Sequence, residues 1–167
     1  MKNKVVPITP DFTTMFDEAQ KQLDRQFNSF TSLSKYAETI MGAASVIVSF
    51  FATFKVFDNT ITKPNSFFAI FVLIVILYAI LMVLSINLAR PSSVESPIRA
   101  DLKNYSIAYA DKSEKEIIAS QITIYVRAIQ KNEKTLLKQE WLSKIIGYYL
   151  CVIVIFIFLA TIILFVH

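Results

Sequence analysis

Charged side chains disappear from this chain twice. No Asp, Glu, Lys or Arg occurs from Pro64 to Ala89, or from Ile145 to Val166. Each run is just over twenty residues of mostly Ile, Leu, Val and Phe, which is long enough for a helix to cross a bilayer. A third apolar segment, Thr39 to Phe57, differs from both because a small and polar stripe interrupts it. Glu38, Gly42, Ser45, Ser49 and Thr53 follow one another at steps of four, three, four and four, and so share one face of a helix. Ile40, Val46, Ile47, Phe50 and Phe54 hold the opposite face. Upstream, Thr9-Pro10-Asp11 reads as a helix start. Apolar positions then recur at Phe12, Phe16, Ala19, Leu23, Phe27, Phe30 and Leu33. The steps of three or four predict an amphipathic helix. Asp17, Lys21, Asp24 and Arg25 on its other face mix both signs of charge, which favours packing on protein over lying on a membrane surface.

Residues 56–65 read as a polar connector, and residues 91–97 as a loop with two prolines. A short helix is expected over Ile98–Ala110. A longer one follows, with Ser113 and Glu116 spaced as a capping box. In it Ile118, Ile122, Tyr125, Ile129, Asn132 and Leu136 alternate steps of four and three. This is a heptad-like seam with a polar Asn, a residue that often fixes register or oligomer state. Neither Pro nor Gly occurs between Asp111 and Gly147, so the helix is expected to continue into the last apolar run. Some fifty residues would span about 75–80 Å. Trp141, Tyr148 and Tyr149 stand at the join, where interfacial aromatics belong.

The predicted fold class is an all-α integral membrane protein. It has three transmembrane helices, an N-terminal amphipathic helix and a cytoplasmic helical region, assembled as a symmetric homo-oligomer. The expected divisions are 1–36 for the amphipathic helix, 37–90 for a two-span hairpin, 91–144 for the cytoplasmic region and 145–167 for the third span.

Composition narrows the chemistry. The 167 residues are 54% hydrophobic, with mean hydropathy +0.51, too apolar for a soluble domain of this size. Gly42 and Gly147 are the only glycines, so no phosphate loop or dinucleotide fingerprint can be written. The single His is His167 and the single Cys is Cys151. These provide no catalytic triad, disulfide or cysteine zinc site. No enzyme activity, metal or cofactor is expected. The first residues do not read as a secretory signal, because Pro7, Pro10 and a polar stretch follow the opening basic residues.

The net charge of +4 bears on orientation. Five basic residues precede the first span and ten lie between the second and third, whereas the first connector holds Lys63 with Lys55 at its edge. The positive-inside rule places the N-terminus in the cytoplasm and the C-terminus outside. For a bacterial chain this is the inner membrane.

Two patterns are candidates for function. The stripe Glu38, Gly42, Ser45, Ser49 and Thr53 either lets helices approach closely or lines a water-filled path. Arg127, Lys131, Lys134 and Lys138 step by four, three and four along one face of the long helix. Such a stripe suits a polyanion, phosphates above all, although a solvated face or contact with anionic lipid produces the same pattern.

The Phe12–Leu33 helix, the Thr39–Ala89 hairpin and the Asp111–Lys144 helix together resemble the SLATT-type membrane effectors of bacterial nucleotide-signalled antiviral systems. In plan they are also similar to Hailong-type effectors. The resemblance is one of architecture and covers most of the chain; the third span departs from a plain two-span plan. It implies an oligomeric channel used in anti-phage defence, a nucleotide or single-stranded DNA oligomer as ligand, and a nucleotide-synthesising partner enzyme. The expected function is therefore a ligand-gated channel. The rival expectations are a non-conducting membrane scaffold or accessory subunit, and a holin-like pore toxin.

Overall fold

The computed structural model describes residues 11–53, 64–90, 94–96 and 111–166. Three helices make up nearly all of them: α1 (Phe12–Phe51), α2 (Asn65–Ala89) and α3 (Glu114–Val166). The expected short helix over 98–110, the connector at 56–63, Lys55, Lys63 and the Thr9-Pro10 start lie outside the described residues.

Helix α1 begins at Phe12. Asp11 is the cap: its carboxylate accepts from the Thr13 N–H at 3.1 Å and from the Thr14 hydroxyl at 2.7 Å. These bonds favour the charged form and hold the Asp11 carboxyl below its ordinary range, the Thr14 hydroxyl contributing most. The helix then runs for 40 residues, without a break at the expected division between residues 36 and 37. Helix α2 opens after Pro64 with no side-chain cap. It closes at Arg90, whose N–H donates to the Ile86 carbonyl at 3.2 Å. The Ser34 hydroxyl donates to the Ala89 carbonyl at 3.1 Å, satisfying one of the carbonyls that a helix end leaves open. Helix α3 is continuous over 53 residues, as the absence of Pro and Gly predicts, and so passes through the expected division at 144. Its start is the expected box in a modified form. Both the N–H and the hydroxyl of Ser113 donate to Glu116, at 2.9 and 2.8 Å.

The described residues fall into two compact units. The first combines residues 11–29, 94–96 and 111–135. Ala19 and Leu23 of α1 are buried with Ala128 and Ile129 of α3, flanked by Phe27 and Tyr125. The Phe16 ring meets Tyr125 edge-on at 5.2 Å between centroids. The buried amide of Gln26 donates to the Ile129 carbonyl at 3.1 Å.

The second unit combines residues 30–53, 64–90 and 136–166. Its fully buried apolar positions are spaced by sevens on all three helices, with the fully buried Ser85 between two of them on α2. They are Ala37 and Ala44 on α1; Phe67, Ile74, Leu81 and Leu88 on α2; and Ile146, Ile153 and Ala160 on α3. A strict seven-residue repeat is that of a left-handed coiled coil. Bulk alternates with small side chains. Ala37 is clustered with Leu88 and Ile146, while Ala44 and Ala160 are clustered with Phe51, Phe67, Ile74, Leu81 and Ile153.

The helices α2 and α3 are both long and apolar enough to cross a membrane, with mean hydropathy 3.2 and 2.9 in their most apolar windows. Only 17% of each window is buried. Phe68, Val72, Ile76 and Val83 of α2 point outward, as do Val152, Ile155, Phe158 and Ile162 of α3. An apolar helix in the core of a soluble protein would be largely covered, so the outward apolar surface supports a bilayer as its solvent.

Candidate functional site

The small and polar stripe belongs to the part of α1 in the second unit. Glu38, Gly42, Ser49 and Thr53 are all exposed, on the side of α1 away from the seam of Ala37, Ala44 and Phe51. The space over Gly42 is open, with no packing atom within 4 Å of where a Cβ would stand. Ser45 departs from the other four. It is half-buried, and its hydroxyl donates to the Met41 carbonyl at 2.7 Å. It also lies 2.8 Å from the Tyr78 hydroxyl of α2. With its proton given to Met41, Ser45 accepts from Tyr78. This member of the stripe therefore joins two helices, whereas the other four face outward. Val46 and Phe50, expected on the opposite face, are instead 69% and 64% exposed and flank the stripe on the same outer surface, because Val46 lies three residues before Ser49 and seven before Thr53 and so shares their side of the helix.

The basic stripe is exposed along α3. Arg127, Lys131 and Lys134 stand on its portion in the first unit, opposite the buried Ala128, Ile129 and Asn132 only in the sense that they leave the seam free. Lys138, also exposed, belongs to the second unit. Among the three bases of the first unit, Lys131 forms a salt bridge with Glu95.

Asn132 anchors the same residue more firmly. It is fully buried, and its Oδ1 accepts from the Glu95 N–H at 2.8 Å while its Nδ2 donates to the Glu95 carbonyl at 3.0 Å. The side-chain amide thus satisfies both backbone groups of one residue. The seam Asn was expected to govern register or association; in this structure its polar atoms are spent within its own chain.

Comparison with protein-family models, curated proteins and solved structures finds no match.

Function must therefore be argued from geometry. Arg127, Lys131 and Lys134 present donors and positive charge to solvent, suitable for phosphate oxygens. Of the aromatics that could stack on a base beside the stripe, Tyr105, Tyr109 and Tyr125, the first two lie outside the described residues, and Tyr125 is half-buried against Phe16. At the foot of the basic region Trp141 and Tyr148 are 65% and 72% exposed, the disposition of interfacial anchors. Tyr149 instead packs against the apolar cluster of the second unit. Glu95 was not legible as a site residue. The polar Asn132 in an apolar seam was the one signal that a buried backbone partner existed, and nothing in the sequence pointed to which residue it was.

Proposed function

We propose that the chain is the subunit of a homo-oligomeric membrane channel, gated by a phosphate-bearing ligand on its cytoplasmic helices. The observation that carries this reading is the outward stripe of Glu38, Gly42, Ser49 and Thr53. It interrupts an otherwise apolar outer surface at positions that no described part of the same chain covers. Polar positions facing hydrocarbon are costly, so they are retained where they meet another protein surface or water. Copies arranged about an axis would bring these stripes together around a path. In this arrangement the part of α1 from Thr39 onward is the first span, α2 the second and the C-terminal part of α3 the third. The N-terminus and the basic stripe are cytoplasmic, and the C-terminus is outside the inner membrane of a bacterial cell.

The stripe Arg127, Lys131, Lys134 and Lys138 reads the ligand, a nucleotide or a short single-stranded DNA. The architectural resemblance supports a role in anti-phage defence beside a nucleotide-synthesising enzyme. The helices α1 and α3 are continuous from the ligand-binding region into the spans, which gives a covalent route for gating.

The test is cysteine modification in liposomes after replacing Cys151 with Ser. Ser49→Cys and Thr53→Cys should change ion flux when treated with a charged thiol reagent, and Ile47→Cys, half-buried on the other side of α1, should not. Modification of Ser49→Cys without any effect, in a protein that conducts, would remove the stripe from the path. A second reading is a non-conducting scaffold in which the same stripe packs against a partner helix. The Ser45–Tyr78 contact favours it for that one position. Absence of flux with every phosphate ligand tried would decide for the scaffold.

A further inference from the structure

Glu95 stands where a ligand of the basic stripe would bind. Its carboxylate pairs with Lys131, one of the bases in the proposed phosphate-reading row. Its backbone is held by both polar atoms of the buried Asn132 amide, at 2.8 and 3.0 Å. The two interactions have separate roles. The amide clamp fixes the position of residue 95, and the carboxylate then occupies Lys131. The ion pair is exposed on both sides, with 55% and 41% of the side chains accessible. A solvent-exposed pair of this kind is weak and exchangeable, unlike the part-buried clamp made by the fully buried Asn132.

We propose that Glu95 is an internal competitor for the anion site. This rests on the reading of the basic stripe as a phosphate-binding surface. A polyanion arriving from solution takes Lys131 from Glu95, adding it to the exposed Arg127 and Lys134. The chain enters this point from α2, whose helix ends at Ala89 with Arg90 as its cap, a few residues before Glu95. Displacing the carboxylate therefore alters a contact on the segment that leads directly out of a membrane-spanning helix.

The proposal is tested with the full-length chain in zwitterionic lipid nanodiscs at low salt, with a fluorescent oligothymidylate as probe. Glu95→Gln removes the competing charge but leaves the backbone groups that Asn132 holds, so the clamp and the fold are retained. Glu95→Gln should tighten binding roughly two- to fivefold, the range set by the loss of one exposed ion pair. Glu133→Gln, which removes an equal charge from α3, the helix that carries Lys131, should change it by less. In a Lys131→Gln background the Glu95→Gln gain should vanish, because the two residues act through one contact.

Equal tightening by Glu95→Gln and Glu133→Gln would reduce the effect to net charge and overturn the proposal. Unchanged or weaker binding by Glu95→Gln, with clear binding by the parent chain, would overturn it while leaving the basic stripe as the site. If neither the parent nor Glu95→Gln binds the probe, the stripe reading and the proposal fall together.

Discussion

At the scale of single residues, polar groups hold the described helices at defined points. Glu116 is one of them. The Ser113 N–H and then its hydroxyl lower the Glu116 carboxyl below its ordinary value of 4.5. A carboxyl that ionises more readily in the folded chain contributes stability above its unfolded pKa, and that contribution disappears as pH falls through the lower folded value. Amide exchange at residues 114–117 should therefore accelerate as pH drops below about 4.5, after correction for intrinsic exchange. Glu116→Gln should flatten the pH dependence. Asn132 carries a larger penalty because it is buried. Asn132→Leu leaves the Glu95 N–H and carbonyl without their partner, and an unsatisfied buried polar group costs about 1–3 kcal/mol. A leucine in an apolar seam returns part of this. The expected result is loss of exchange protection at Glu95 with a modest fall in melting temperature. Retained protection at residue 95 would show that the clamp does not hold it. Gly147 shows a third kind of constraint. A Cβ there would lie 3.0 Å from the Tyr36 hydroxyl, while Ala in a helix is favoured over Gly by about 1 kcal/mol. Gly147→Ala should therefore be nearly neutral by thermal melting, and clearly stabilising once Tyr36→Phe removes the hydroxyl.

At the scale of elements, the repeat of seven organises the second unit. In a bilayer little hydrophobic force acts between helices, and close packing takes its place. The alanines are then as informative as the large residues. Ala44 is fully buried in the cluster with Ile74, Leu81 and Ile153, so Ala44→Leu should overpack it at a cost of about 1–3 kcal/mol. Val46→Leu, on the exposed surface, should leave the melting temperature nearly unchanged. Equal effects of the two would mean that the seam is not tightly packed. The elements themselves were largely legible from the sequence. Uninterrupted apolar runs predicted α2 and the end of α3, and the lack of Pro and Gly predicted that α3 would be continuous. The seam was recognised only from Ile118 to Leu136, although its repeat continues through Gln139, Ile146, Ile153 and Ala160. Within an apolar span every position reads as hydrophobic, so composition hides which ones touch. At the start of α1, Asp11, one of the three residues of the expected start, makes the capping bonds. In each candidate stripe, spacing put the residues on one helix face, and all but Ser45 are exposed. Ser45 could not be told from Ser49, because that distinction depends on Tyr78, a residue 33 positions away.

At the scale of the whole molecule, the outer surface identifies its solvent. Ile155 on α3 is 57% exposed and Ile76 on α2 is 51% exposed. In a protein surrounded by water, replacing such residues with Lys would be within about 0.5 kcal/mol of neutral. Surrounded by lipid, Lys at the centre of a span costs about 2.5–3.5 kcal/mol on insertion scales. The same substitution at Leu137, 61% exposed on the part of α3 before Trp141, faces no hydrocarbon on the proposed topology. Ile155→Lys and Ile76→Lys should therefore lower the fraction recovered in membranes and the yield of detergent-extracted protein, whereas Leu137→Lys should behave like the parent. Since the three positions are similarly exposed, protein packing alone predicts similar outcomes for all of them. Only a surrounding bilayer separates the first two from the third, so equal tolerance at all three would remove the membrane from the account, and with it the channel.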